Sequence, residues 1–466
     1  MTRRNIIHAV SIALTLLYVA LLPLQTRWIL HAGALAGGPW EYGTLSLYAT
    51  DIILLLAFLA TWSARGSNFW KRPAHVPSAI TAATLAILTI ITFSIFIARD
   101  VGVGFSHWLF FLEGLMLWWL IVQNSVSLAW CAIAFLVSAG TESVIGLLQV
   151  ATQSIHANTF LGMAAQTPSA AGTAVIETTV GRFLRAYGTF PHPNIAAGWM
   201  VIASLLAAGM YVRAKDWAER IALFALAMLL EAGLFVTFSR LGMITFWTIL
   251  LLMLFSAMWR DRRLHRARFP WSLFNIPHTR HLVSPKLVRF TVASFLLTGV
   301  LAIAFSPLVS VRTKLVDRLE VKSMQERKAQ FTDARNLFVQ NLFLGTGIGN
   351  YTNTLHEDVD ANRSVWGYQP VHLTLLLALV ELGILGWMVL IWAIELVGMI
   401  SVQRHMAEWK RVQPKLVPWT AITGTILLAL LLMSFFEHYF WSLHVGVLLV
   451  WLAFGLWTKS LQVREQ

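Results

Sequence analysis

Apolar runs of 17 residues or more recur from one end of this 466-residue chain to the other. A helix of that length crosses the roughly 30 Å hydrocarbon core of a bilayer. The rest of the composition agrees: 57% of residues are hydrophobic, only 12% are charged, and mean hydropathy is +0.67. A soluble domain carries about twice that charged fraction. The expected fold class is therefore an all-α, polytopic membrane helix bundle. Twelve spans are expected, at 6–24, 44–62, 78–97, 107–122, 128–150, 194–211, 219–236, 240–258, 289–308, 380–400, 416–434 and 440–458. The first run follows MTRRN and has no small-residue cleavage site after it, so it reads as an uncleaved span rather than a signal peptide.

Charge sets the orientation. With both termini cytoplasmic, the inner loops and their edges hold 22 of the 35 Lys and Arg residues, most densely in WRDRRLHRARF at 259–269. This is the positive-inside pattern, so the net charge of +13 is chiefly a topology signal facing anionic headgroups, not a nucleic-acid footprint. The chain divides into a five-helix region (1–150), an outer loop (151–193), a four-helix region (194–308), a large outer loop (309–379) before the tenth span, and a three-helix region with a cytoplasmic tail (380–466). In the first outer loop, TPSAAGTAVIETTVG reads as mobile. In the second, Met324, Phe331, Ala334, Phe338 and Leu342 fall near helical spacing, as expected of an amphipathic helix lying on the membrane surface or capping the bundle.

The basic residues that resist the inward bias mark the outer face. In RAYGTFPHPN (185–194), Pro193 and Asn194 start the sixth span, with Asn194 as a cap and Arg185 close by, an arrangement suited to anions. The plainer alternative is a capped turn, with His192 a loop residue. In TFSR (237–240), Ser239 is placed to cap the eighth span. Arg240 in its first turn opposes the helix dipole, so it serves either to snorkel to headgroups or to hold a phosphate. Arg327 and Arg335 lie two turns apart and are expected to share a helix face. GTGIGNY (345–351) follows no strand and reads as a tight turn, not a nucleotide loop. In QPVH (369–372), His372 sits near a helix N-terminus whose dipole keeps it neutral, able to act as a base toward a sugar hydroxyl. In EHYFW (437–441), Glu437 and His438 are candidates for orienting a substrate, while Tyr and Trp fit an interfacial belt.

The single cysteine excludes disulfides within the chain, and neither HExxH nor any recurring ligand spacing occurs, so no metal and no cofactor are expected.

Taken together and in order, RAYGTFPHPN, TFSRLG, the ER-to-NLFLGTGIGNY run, QPVHLTLLLALVELGILG and EHYFWSLHVGVLLVWLAFGL resemble the O-antigen ligase and polymerase superfamily. The resemblance covers about residues 180–458. It implies a bacterial inner-membrane glycosyltransferase whose outward-facing site takes a glycan from a polyprenyl diphosphate carrier. The acceptor would be a glycolipid or glycan. By that resemblance Arg185, Arg240 and Arg327 bind the diphosphate and His372 is the base. Asn194, Ser239, Arg335, Gln369, Glu437 and His438 support them. The family's common His-Asn pair is here His372-Leu373, so another residue, such as Gln369, must position the acceptor. The resemblance leaves ligase, polymerase and protein O-oligosaccharyltransferase as alternatives, with a preference for ligase because the large loop immediately precedes the histidine. A secondary transporter is the rival class. It would place ionisable groups mid-membrane, where the sequence offers Asp51, Glu113, Glu142 and Glu231.

Overall fold

A computed structural model describes residues 3–74, 76–268, 283–314, 318–409 and 417–462. The expected cytoplasmic loops at 259–288 and 401–415 and the tail at 459–466 lie partly outside the described residues. The first half holds helices α1 (Arg3–Leu21), α2 (Ala49–Arg65), α3 (Ser78–Ile95), α4 (Val101–Gln123) and α5 (Leu128–Thr152). There follow α6 (Pro193–Arg213), α7 (Trp217–Val236), α8 (Arg240–Arg268), α9 (Val283–Ala304), α10 (Ser306–Lys314) and α11 (Arg318–Gln340). The chain closes with α12 (Tyr351–Thr354), α13 (Thr374–Trp409), α14 (Trp419–Ser434), α15 (Tyr439–Ser442) and α16 (His444–Ser460). Among the described residues, nine helices are long and apolar enough to cross a membrane, and α14 and α16 are shorter apolar helices.

Short antiparallel ribbons decorate one end of the bundle. β1 (Arg27–His31) pairs with β4 (Leu45–Tyr48), and the small β2 (Ala34–Leu35) with β3 (Gly38–Pro39) between them. The third ribbon pairs β5 (Val175–Thr178) with β6 (Gly181–Leu184). The stretch expected to be mobile thus contains a strand. Its backbone is tied down at Ala174, whose N–H donates to Tyr187 Oη at 2.6 Å.

α6 is the hub of the larger apolar core, with 94% of its membrane-length window buried. Its small residues let neighbours approach closely. A Cβ on Gly198 would lie 2.0 Å from Tyr439 Oη, and one on Gly209 would strike Ile422 at 2.7 Å. A second core joins α3, α4, α13 and α16 to the loop after α11 through Ile91, Trp118, Leu337, Ile348, Leu377 and Trp451.

α13 is broken at Gly383, whose φ of 64° leaves the helical region. Backbone freed inside a bundle needs new partners, and the GTGIGN loop supplies them. Ile384 N–H donates to the Leu342 carbonyl at 2.9 Å, while Thr346 and Gly347 N–H donate to the Val380 and Glu381 carbonyls at 3.0 Å. The approach is so close that a Cβ on Gly345 would fall 2.4 Å from the Glu381 backbone. The glycine motif is a turn, as expected, but its business is the broken helix.

Burial divides two of the apolar stretches. On α11, Ala334 and Leu337 are fully buried, whereas Met324 and Phe331 are exposed and Leu342 lies beyond the helix, also exposed. The tertiary partner therefore meets only the last turns of the helix. Tyr439, Phe440 and Trp441 are buried rather than interfacial. Trp441 Nε1 donates to Glu381 Oε2 at 2.7 Å beside the break in α13.

Candidate functional site

The ribbon-bearing end of the bundle gathers polar residues from five separate parts of the chain. The N-terminus of α6 is capped by His192, not by Asn194: His192 Nδ1 accepts the Asn194 N–H at 3.1 Å, with Pro193 as the first helical residue. Pro193 fixes the backbone so that the preceding residue takes the cap position. Asn194 is thereby released for other bonds. Its Oδ1 accepts from Arg185 Nη2 at 2.8 Å, and its Nδ2 donates to Glu437 Oε1 at 2.8 Å. Arg185 Nε donates to the Thr237 carbonyl at 2.8 Å. Arg185, Asn194, Thr237 and Glu437 therefore form one relay across three helix ends.

Glu437 is buried in that relay, and its backbone carbonyl accepts the Thr374 N–H at 3.0 Å, docking the start of α13. Burial raises its carboxyl to about 7; Arg327, the bond from Asn194 and Arg185 act in the opposite direction. The carboxyl thus titrates near neutrality instead of being fully ionised.

His372 precedes α13 and is half-buried. Its Nδ1 lies 2.8 Å from Gln330 Oε1 on α11. An amide oxygen only accepts, so Nδ1 carries the proton and Nε2 keeps the lone pair. Burial, and then the charge of Arg327, pulls the ring down to about 4. Neutrality was expected from the helix dipole; desolvation is the larger cause here. His438 stacks edge-on to His372 with centroids 4.9 Å apart, and its Nδ1 meets Ser442 Oγ at 2.7 Å. Burial holds His438 well below the usual range, helped by His372 and His192.

His192 belongs to this group too. Its surface is exposed, and desolvation by the surrounding chain, then the charges of Arg185, His372 and Arg312, brings it down to about 3. Expectation had left it as a loop residue.

The arginines separate by position. Ser239 caps α8 as expected, its Oγ accepting the Gly242 N–H at 3.3 Å. Arg240 Nη1 donates to the Arg312 carbonyl at 3.2 Å, and Arg312 Nη2 donates to the Phe238 carbonyl at 3.1 Å, which ties the start of α8 to α10. Arg327 is half-buried, its charge felt by both His372 and Glu437. Arg335 is exposed and does not share that face. Eight residues at about 100° each overshoot two full turns by about 80°. Gln369 Oε1 accepts from Tyr42 Oη at 3.1 Å, and the partner of the His372 ring is Gln330. Three arginines, a neutral imidazole with an open lone pair and a carboxyl near neutrality can neutralise a polyanion and take up one proton.

Of the four acids suggestive of transport, Glu142 accepts from Thr189 N–H and Oγ1 at 2.7 and 2.9 Å, and Glu231 accepts from Thr298 Oγ1 at 2.7 Å. These two are engaged by neighbouring hydroxyl and amide groups. Asp51 and Glu113 instead converge with His444 into a group that can hold a metal ion, which sequence spacing gave no sign of.

Residues 222–391 match the family model described as O-antigen ligase, in agreement with the motif resemblance. The matched segment contains Arg240, Arg312, Arg327, Gln330 and His372, while folding brings Arg185, His192, Glu437 and His438 to them from outside it. No curated protein matches the chain.

Proposed function

We propose that this multi-pass membrane member of the O-antigen ligase and polymerase superfamily transfers a glycan from a polyprenyl diphosphate carrier to an acceptor hydroxyl, on the outer face of a bacterial inner membrane. The observation that carries this reading is the His372–Gln330 pair beside Arg327. A neutral imidazole with its lone pair on Nε2 stands next to the cations that the leaving diphosphate needs.

The acceptor hydroxyl loses its proton to His372 Nε2 as its oxygen bonds to the anomeric carbon. The bond from that carbon to the diphosphate oxygen breaks, and the electron pair leaves with the lipid diphosphate. One displacement inverts the anomeric centre. Arg240, Arg312 and Arg327 neutralise the developing charge. Arg185, two of whose donors hold Thr237 and Asn194, adds charge from beneath. No step uses a metal. Gln330 positions the base, and Glu437 and His438 shape the wall beside it.

A glycolipid is the preferred acceptor, because the loop that ends at His372 is the large one expected of a ligase. A growing glycan and a protein hydroxyl are the alternatives. The reaction is tested in proteoliposomes supplied with a labelled lipid-linked glycan. Wild type transfers label, and His372→Ala and Arg240→Ala lower transfer by at least about 100-fold. Full activity in either variant would refute the assignment, and counterflow of a soluble solute would point to transport.

A further inference from the structure

Three residues far apart in sequence meet inside the bundle. Asp51 lies in the first turn of α2, Glu113 midway along α4, and His444 opens α16. His444 Nε2 is 2.8 Å from Glu113 Oε2 and 3.4 Å from Asp51 Oδ1. The three ligand atoms all lie within 4.8 Å of one another. Their surroundings are aromatic: Tyr48 stacks on the His444 ring at 3.8 Å with an interplanar angle of 5°, and Phe110 meets it edge-on at 5.2 Å.

The polar atoms of this group do not balance among themselves. Asp51 Oδ2 accepts the Tyr48 N–H, but Asp51 Oδ1 is buried and has no hydrogen-bond partner. Tyr18 Oη, on a fully buried α1 residue under the charge of both Glu113 and Asp51, has none either. A protonated His444 cancels only one of two carboxylate charges, and an uncompensated charge in an apolar setting is costly.

We propose that Asp51, Glu113 and His444 bind one divalent cation of the zinc or manganese type, which fastens α2, α4 and α16 together. The donor set is one imidazole nitrogen and two carboxylate oxygens, a combination suited to these ions rather than to calcium or magnesium, which favour all-oxygen shells. With His444 neutral, a divalent ion makes the site electrically neutral. Metal–ligand bonds of about 2.0–2.1 Å in a tetrahedron separate neighbouring ligands by about 3.3 Å, and the observed 2.8 and 3.4 Å bracket that value. A fourth position filled by water gives Tyr18 Oη a partner. Stacking on Tyr48 fixes the imidazole plane. The site is structural and independent of the transfer reaction, and it accounts for two of the acids that a transporter would need.

The experiment uses the full chain, purified in detergent and freed of metal by chelation. Titration with Zn2+ or Mn2+ is followed by elemental analysis after gel filtration and by thermal melting. The expected result is one tightly held ion per chain and a rise in Tm of about 3 °C or more. Both effects vanish in the Asp51→Asn/Glu113→Gln double variant. X-ray absorption on the loaded wild type reports one nitrogen and otherwise oxygen neighbours, a readout that does not depend on any variant folding. A wild type that retains no ion, an ion whose binding survives the double variant, or a shell without nitrogen would each overturn the proposal.

Discussion

Gln330 offers the sharpest test of the proposed chemistry. Its Oε1 holds the His372 Nδ1–H at 2.8 Å from the face of α11 that also carries Arg327, one turn earlier. Replacing it by leucine leaves a half-buried N–H without its acceptor, which costs about 1–3 kcal/mol. The cost is greater in the transition state than in the ground state. His372 becomes an imidazolium as it takes the acceptor proton, and a hydrogen bond from a charged donor is stronger than one from a neutral ring. That excess is about 1–1.5 kcal/mol, so at about 1.4 kcal/mol per tenfold kcat falls roughly 5- to 13-fold. KM for the lipid-linked donor stays near wild type, because Gln330 touches the base and not the diphosphate. Gln330→Glu keeps an acceptor and adds a negative charge, so it preserves the tautomer and moves the acid limb of the pH profile upward. The assay is transfer of labelled glycan in proteoliposomes over a range of donor concentrations, resolving kcat from KM. A Gln330→Leu enzyme within twofold of wild-type kcat, or one altered only in KM, would refute the positioning role.

The pH profile follows from the burial of His372. Its value of about 4 lies below the ordinary 6.5 of a histidine, so the base form persists through neutrality. In the Glu437→Gln variant, which removes the neighbouring carboxyl that titrates near 7, a plot of kcat/KM is level above about pH 5 and falls as His372 protonates near 4; a limb at 6.5 or above in that variant would contradict the base assignment. Among the arginines, Arg327→Ala raises donor KM at least about tenfold while the exposed Arg335→Ala stays within about twofold, and equal effects would sink the division between them. Gly349 has φ of +72°, and a Cβ there would lie 2.4 Å from His107 Nδ1, so Gly349→Ala combines backbone strain of about 1–2 kcal/mol with a clash. Gly172, with φ of +81° and nothing within 4 Å, is the control: its alanine variant shows only the backbone part, and equal Tm losses would remove the clash from the account.

What could be read from the sequence is what local physics fixes. Each expected span overlaps a helix, and among the described residues nine of these helices are long and apolar enough to cross a membrane, because apolar length is a property of consecutive residues. Ser239 caps α8 because a serine before a helix start has a reachable N–H within the same turn. The errors arise where two local candidates compete and a distant partner decides. His192 and Asn194 can each cap α6; Pro193 at the first helical position gives the cap to His192, and the Asn194 amide goes instead to Arg185 and Glu437, from either side in the chain. Gln330, the partner of the His372 ring, could not be singled out because it lies 42 residues earlier in the chain. The break in α13 left a trace in a glutamate two residues before a glycine within an apolar run, Glu381 and Gly383, and a second trace in the spaced glycines of the preceding loop. Neither signifies a break until the two are seen to bond each other. Arg312 could not be singled out among eight basic residues of its loop, since only its pairing with Arg240 distinguishes it. The Asp51, Glu113 and His444 group is the extreme case, with 331 residues between two of its members and no spacing to betray it. In a helical membrane bundle the spans are therefore written in the sequence, while the site is written in the contacts between span ends. That is why a relay such as Arg185–Asn194–Glu437 has to be tested as a unit: removing Asn194 takes one hydrogen bond from Arg185 and one from Glu437 at the same time, so its effect is not additive with the substitution of either neighbour.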